Sequence, residues 1–559
     1  MTKSVIARKL EGKEFFGHPS GLFVLFFAEM WERMSYYGMR ALLVLYMVKY
    51  LLMDPARMAD VIGLDTLKSI LEIGFGPLET QPFASQIYGL YTGFVYLSPF
   101  FGGILADKIW GKRKSVYVGG ALMAVGHFLM AFENLFLPAL FFLILGNGAF
   151  KPNISTQVGA LYKEGDTRRD GAFTIFYMGI NLGAFFSPFL CVQLAEYVMP
   201  MFGYTDPAAA WHFGFALAGI GMLIGLVAYH IGRELLPAED LTTLAPVQER
   251  KSIFFKTVGG FLASMALFIL LLMLPNAIKA VIIVAIIAAV VWAIKRITDP
   301  SDRAKVASLV ILCTATIMFW AIFEQQGNTL ALWADEKADW AALGLKAANY
   351  QSMNPMFIFL FAPLMDAIWR LRARKGKVSS SVRKMAVGSF LAGVAFLIIP
   401  IASEFVTVEQ SMINLFWLTL TTWMFTMGEL YLSPIGLSFV TKVAPARFMS
   451  MMMGMWFLSS FIGNYMAGYL GTFYTKLSQT NFFLMFAIMG FAVGVFFWLS
   501  EKRIEKAIGL ADGGSTGGNS SNVEDEKSSY INSLNETPAY ASTNTNNKSR
   551  LRPPTQPEL

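Results

Sequence analysis

Charge is scarce in this sequence. Only 15% of its 559 residues are Asp, Glu, Lys or Arg, while 55% are hydrophobic and the mean hydropathy is +0.51. Soluble domains carry roughly 25% charged residues, so a soluble globular chain is excluded and a polytopic, all-α membrane protein is expected. Cysteine is nearly absent: Cys191 and Cys313 both fall inside apolar runs. That excludes a disulfide framework and a Cys-based metal site. The four His show no metal-ligand spacing, and His127 on an apolar span reads as structural. No Gly-x-x-x-x-Gly-Lys-Ser/Thr loop is present, so direct ATP coupling within the chain is not expected. A nucleophile elbow and a zincin motif are also missing, which argues against an enzyme. The net charge of +7 is modest, and its Lys and Arg gather in short loops, which gives no reason to expect nucleic acid as a partner. Lys3, Arg8, Lys9 and Lys13 precede the first apolar segment without a short h-region and cleavage site, so that segment reads as a retained span.

What the chain has is apolar runs of crossing length. Fourteen are expected, near 21–51, 83–106, 115–133, 138–162, 171–199, 211–231, 253–274, 277–296, 306–334, 350–370, 384–403, 411–441, 448–476 and 482–500. The loops near 107–114, 163–170, 295–305 and 370–384, together with 501–506, are basic or mixed. Those at 134–137, 200–210, 404–410 and 477–481 hold no Lys or Arg. By the positive-inside rule both termini are cytoplasmic. Two uncharged-cored segments meet at Leu274-Pro275-Asn276 within 232–305. They read as an inserted transmembrane hairpin that splits the chain into six-helix bundles at 21–231 and 306–500. Residues 1–20 form a cytoplasmic N-terminus. Residues 501–559 form a cytoplasmic tail, expected to be disordered from about 509, where Gly, Ser, Asn and Thr take over. Two such bundles place a site between them at mid-membrane.

The stretch EMWERMSYYGMR at 29–40 breaks the pattern of scarce charge. Glu29, Arg33, Tyr36 and Arg40 follow one helix face, with Glu32 beside that line. A charge at the centre of a span costs about 2.5–3.5 kcal/mol on insertion scales, so this helix must meet water or opposite charge. Lys151, Glu324 and Glu429 are the other ionisable residues deep in apolar spans. The set is four acids against three bases, which leaves one acid free to hold a proton. Tyr91, Asn181, Trp320, Asn354 and Trp456 are polar or aromatic groups of the kind that line a small-molecule site. Gly179, Gly183, Gly388, Gly454 and Gly463 are expected at close helix contacts.

EMWERMSYYGMR resembles the first-span motif of the proton-coupled oligopeptide transporters, a branch of the major facilitator superfamily. Met34 departs from the Phe usual there. GGILADKIWGKRK at 102–114 looks like the superfamily's loop signature between the second and third spans, and FYMGINLG at 176–183, GNGAFKPN, FWAIFEQQGNT, QSMNPMF and GELYLSPIGLS look like further spans of the family, in order along 21–500. The hairpin resembles the two extra helices of bacterial members, and so implies a major facilitator fold in a bacterial inner membrane.

The resemblance implies proton-driven import of dipeptides and tripeptides by alternating access, with no cofactor beyond the coupling proton and no obligate protein partner. It makes Glu29, Glu32, Arg33 and Lys151 a coupling group, with Arg33 and Lys151 also attracting the peptide carboxylate. Glu429 meets the peptide amino group, with Asn181 and Asn354 nearby. Tyr36, Tyr37, Tyr91, Tyr177, Trp320 and Trp456 line the side-chain pockets. Arg40 and Glu324 form an outer gate that opens when Glu324 is protonated. The main alternative is a transporter of the same fold for another small solute, such as nitrate or an amino-acid conjugate. Glu429, an amine partner, favours peptide over an anion. A membrane receptor or scaffold that no longer transports has no use for the full charge set.

Overall fold

The computed structural model describes residues 12–508, without 164–165, 167, 207–208, 240, 341–342, 377–378, 405–411 and 446–447 and without the side chains of 301, 437, 441, 442 and 450. The tail from 509, and Lys3, Arg8 and Lys9, lie outside the described residues.

All fourteen expected segments fall on long helices. In the first part these are α1 Ser20–Tyr46, α2 Thr80–Leu105, α3 Lys112–Leu129, α4 Phe136–Ala160, α5 Arg168–Pro188 and α6 Ala209–Gly232. Then come α7 Val247–Met273 and α8 Asn276–Ile297, joined at Leu274-Pro275. The last part holds α9 Pro300–Phe323, α10 Met353–Arg374, α11 Ser381–Glu404, α12 Leu415–Val443, α13 Met449–Gly471 and α14 Gln479–Ala507. Among the described residues, nine helical stretches are long and apolar enough to cross a membrane on those criteria alone. α1, α3, α10, α12 and α13 are not among them. α1 carries four buried charges, and α10 and α12 carry Asn354 and Glu429.

Local chemistry sets several boundaries. The Asn414 side chain accepts from Phe416 N–H at 2.8 Å and starts α12; Ser478 Oγ accepts from Asn481 N–H at 3.3 Å and starts α14. Pro188 ends the regular part of α5 and a π-turn, Phe189–Gln193, follows, as expected where a proline removes a helix N–H. The expected span 306–334 is not one helix. α9 stops at Phe323, a 3₁₀ turn runs Glu324–Gly327, and a short helix resumes at Thr329–Lys337. The expected loop at 52–82 folds into two short helices, Pro55–Asp60 and Leu64–Phe75. A two-residue antiparallel pairing, Glu14–Phe15 with His18–Pro19, precedes α1.

The helices pack as two groups. In the first, α1 lies against α5 and α6, α2 against α4, and α3 against α4 and α6. In the second, α9 lies against α13 and α14, α11 against α12 and α14, and α10 against α12. The groups meet chiefly along α2–α13 and α5–α10. Gly89 and Gly468 make the first of these contacts possible: a Cβ on Gly89 would stand 2.8 Å from the Cα of Gly468. α7 packs on α2 and on the Leu64–Phe75 helix and buries Thr257, Phe261 and Leu272. α8 buries nothing among the described residues, which agrees with a lipid-facing hairpin.

Four of the five expected contact glycines lie at close approaches. A Cβ on Gly183 would stand 2.1 Å from the Met30 carbonyl oxygen, and those on Gly179, Gly388 and Gly463 would also be closer than 3.0 Å to a neighbour. Gly454 is the exception, with nothing within 4 Å. Gly183→Ala should therefore lower stability by about 1–3 kcal/mol through overpacking of α5 on α1. Gly454→Ala should leave stability unchanged or raise it by about 0.5–1 kcal/mol through helix propensity. Thermal unfolding of the detergent-solubilised protein checks both, and a larger loss at Gly454 would contradict the packing.

Candidate functional site

The charges of α1 divide into two sets. Glu29, Glu32 and Arg33 are all at most 4% exposed and pair with one another along the helix, with Glu29 Oε2 left without a hydrogen-bond partner among the described residues. Arg33 Nε lies 3.2 Å from a Glu29 carboxylate oxygen, and Arg33 Nη2 donates to Glu32 at 2.7 Å while its Nε also donates to Glu32. The opposite charge this cluster needs comes from the cluster itself. The pairing is within one helix, and Lys151 makes no ion pair with it among the described residues. Lys151 of α4 instead places its Nζ 4.9 Å from the centre of the Tyr96 ring.

Arg40 does pair across the two groups. Its Nη2 donates to Glu324 at 2.6 Å, with both side chains below 10% exposed. Arg40 Nε also donates to the Tyr88 hydroxyl at 3.0 Å, and that hydroxyl lies 3.4 Å from the Glu324 carboxylate. The break in the chain after α9 places Glu324 for this. Gly327 in the same turn leaves room for the partners, since a Cβ there would stand 2.1 Å from the Tyr88 hydroxyl and 2.7 Å from Arg40 Nε. On this side the groups are further joined by Gln81 to the Gly471 carbonyl at 3.1 Å, Ser85 to Asn328 at 2.9 Å, and Ser352 to the Phe185 carbonyl at 2.7 Å.

Glu429 of α12 is the remaining buried acid. Asn354 Nδ2 of α10 donates to it at 2.9 Å and also lies 3.1 Å from Thr426. Glu429 has no ion-pair partner among the described residues, so Lys151 in one group and Glu429 in the other are the two charges left open.

The other expected residues fall as follows. Tyr36 and Tyr37 stack edge-on at 5.3 Å, with Arg33 5.2 Å from the Tyr36 ring and Arg40 6.0 Å from the Tyr37 ring. Tyr177 is 42% exposed, and Asn181 Nδ2 bonds back to the Tyr177 carbonyl at 2.9 Å. Trp320 is buried beside Phe319 and Phe323 with its indole N–H unpartnered. Trp456 is buried against Gly436 of α12. Tyr91 is buried with an unpartnered hydroxyl and lines a small apolar pocket with Phe94 and Met265.

A family model described as the POT family matches residues 113–494. The chain belongs to the POT family. A di-/tripeptide transporter of Lactococcus lactis subsp. lactis (strain IL1403) is 32% identical over 520 residues, covering 89% of this chain and 98% of that protein. A peptide transporter of Yersinia enterocolitica subsp. palearctica is 34% identical over 487 residues, covering 82% and 89%. The crystal structure of a mutant peptide transporter POT in complex with alafosfalin superposes with a TM-score of 0.73 at 32% identity, covering 91% of this chain and 99% of that one. The fold is the major facilitator fold of these POT transporters.

Sequence reasoning on this POT chain missed Tyr88, Tyr96, Thr426 and Gly327. Tyr91 and Tyr96 point about 140° apart around a helix of 3.6 residues per turn, so one residue contacting Lys151 leaves the other on a different face.

Breaking a buried ion pair from one side costs about 3–5 kcal/mol, because the abandoned charge stays buried. Arg40→Met should therefore lower the apparent melting temperature, and adding Glu324→Gln should recover most of the loss. Thermal unfolding of both variants checks this. A double variant no more stable than the single would contradict a mutual pair.

Proposed function

We propose that this protein is a proton-coupled symporter that imports dipeptides and tripeptides by alternating access. The observation that supports it most is the pair of open charges. A zwitterionic peptide needs a cation for its carboxylate and a carboxylate for its amine, and Lys151 and Glu429 stand ready on opposite helix groups. Binding the two ends then draws the groups together. The peptide-transporter relatives support the same substrate class.

In this reading Arg33 and Lys151 receive the peptide carboxylate, with Tyr96 holding the lysine in place. Glu429, steadied by Asn354 and Thr426, receives the amino group, and Asn181 lies nearby. Tyr36, Tyr37, Tyr91, Tyr177, Trp320 and Trp456 offer contact area without a side-chain code, which suits many peptides. Glu29, Glu32 and Arg33 couple proton and substrate through their mutual pairing: a proton or a carboxylate that takes one member's place frees another. Protonated Glu324 no longer holds Arg40, and the outer side opens. The fourteen helices then form bundles 21–231 and 306–500 with the hairpin of 232–305 outside the path, both termini cytoplasmic, in a bacterial inner membrane. No catalytic step is required of any residue.

A same-fold carrier of another small solute is the second reading. Glu429 bonded to Asn354 favours a solute with an amine and disfavours nitrate.

Reconstituted in liposomes with an inward proton gradient, the protein should accumulate labelled dialanine. Absence of gradient-stimulated uptake across a panel of dipeptides and tripeptides would sink the peptide reading. Glu324→Gln should abolish proton-driven accumulation and flatten its pH dependence while peptide exchange survives; equal loss of both would remove the proton assignment.

Glu429→Gln removes a charge-assisted hydrogen bond worth about 1.5–3 kcal/mol. Affinity for peptides with a free amino terminus should fall roughly ten- to a hundredfold, and N-acetylated peptides should be little affected. Binding isotherms for the two peptide classes decide it.

A further inference from the structure

The approach to α1 folds into a hairpin that the transport reading leaves without a role. Glu14–Phe15 pairs with His18–Pro19 across the turn Phe16-Gly17, whose φ angles are +52° and +76°. Two successive left-handed residues are what a two-residue hairpin turn needs, but a bulky side chain is unfavourable in that conformation. Phe16 is the one non-glycine residue with positive φ among the described residues. Two short paired strands do not hold such a turn by themselves, so contacts with the rest of the chain hold it.

Those contacts reach α1, α4 and α5. Arg168, the first residue of α5, donates from Nη1 to Glu14 at 2.9 Å and to the Gly17 carbonyl at 3.2 Å, while its Nη2 donates to Asp166 at 2.9 Å. His18 Nδ1 lies 2.8 Å from the hydroxyl of Tyr162, two residues past the end of α4. A Cβ on Gly171 of α5 would stand 3.4 Å from the His18 ring. On the α1 side, Phe15 meets Phe23 edge-on at 5.8 Å, and the Ser20 N–H that opens the helix donates to the Lys13 carbonyl at 3.2 Å. Gly21 lets α1 itself approach α4's end, since a Cβ there would stand 2.9 Å from Leu161 Cδ2.

We propose that residues 13–20 form a strap that fixes the ends of α4 and α5 farthest from Arg40 to the start of α1. Helix packing does not do this for α4: α1 packs along α5 and α6, whereas α4 packs on α2 and α3. The strap supplies the missing tie at one level along the helices. Lys151 stands eleven residues before Tyr162, and Glu29 stands eleven residues after His18, about 16 Å along each helix. Holding Tyr162 to His18 therefore holds Lys151 of α4 level with the Glu29–Glu32–Arg33 cluster of α1. The inference rests on the transport reading only for what that alignment serves, because that reading uses nothing before Glu29. Each contact is weak singly, with Arg168 45% and Glu14 54% exposed, and the strap acts through several of them together.

Hydrogen–deuterium exchange of the full-length, detergent-solubilised protein tests the strap. Tyr162→Phe deletes one hydroxyl, and Arg168→Gln removes the charge that pins Glu14 and the turn. Each should speed exchange by roughly two- to tenfold at residues 14–20, at 159–162 in the end of α4 and at 169–173 in the start of α5. The turn Glu133–Leu135, at the other end of α4, should exchange as in the parent. His18→Ala should act like Tyr162→Phe, and the two together should be no faster than the faster single variant, since both delete the same bond. Unchanged exchange at 159–162 and 169–173 overturns the proposal even if the hairpin itself loosens, because a hairpin that docks without holding is no strap. A rise that is equal at Glu133–Leu135 also overturns it, because the loss is then global. Exchange needs no transported solute, so failure of the peptide reading and failure of the strap are told apart.

Discussion

A charge in an apolar span must be paired, hydrogen-bonded or wetted, and the structure satisfies that demand in unequal ways. Arg33 is satisfied by its helix neighbours Glu29 and Glu32. Arg40 is satisfied only across the seam, by Glu324. Lys151 and Glu429 have only partial satisfaction, from an aromatic face and an amide. The proposed function rests on that gradation. The first arrangement survives any movement of one helix group against the other, the second depends on their relative position, and the third leaves a cation and a carboxylate on opposite groups without an ion-pair partner among the described residues. One physical rule thus separates an internally paired cluster, a pair across the seam and two charges without an ion-pair partner among the described residues, within a single set of seven.

Much of this was legible in the sequence. Helices on all fourteen expected segments follow from apolar run length, and the hairpin from its nearly uncharged interior and its Pro275 turn. The Arg40–Glu324 pair was implied by the family resemblance; the residues alone said only that such costly charges should pair. The internal pairing of Glu29, Glu32 and Arg33 was harder to see. Helix-face geometry puts Glu29 and Arg33 together at i, i+4, but Glu32 is adjacent to Arg33 in the chain. Only the side-chain rotamers show that its carboxylate folds back onto the guanidinium.

Two features lay beyond pattern reading for a definite reason. The break at Glu324–Gly327 interrupts an apolar run without any proline, so hydropathy reads straight through it. Its cause is tertiary: Tyr88 and Arg40 come from the other group and fill the space a side chain at 327 would take. Likewise Gly454 and Gly183 look alike as small residues in spans, yet only Gly183 has a helix pressed against it. Small residues mark where a close approach is allowed, and the partner decides whether it occurs.

The break also sets how Glu324 is held. Within a continuous helix, Glu324 moves only with the whole of α9. In a 3₁₀ turn between α9 and the Thr329–Lys337 helix, the carboxylate sits on a short connector whose far side carries Asn328, Asp335 and the rest of the outer seam. The connector and the helix after it keep further ties to the first group, through the Ser85–Asn328 hydrogen bond and the Lys49–Asp335 pair, so Arg40–Glu324 is one of several contacts there. The hydrogen bonds of Gln325 to the Ala321 and Ala467 carbonyls keep the start of the turn fixed to the second group. Glu324 is thus anchored with α9 and α13 and faces Arg40 and Tyr88 of α1 and α2 across the seam.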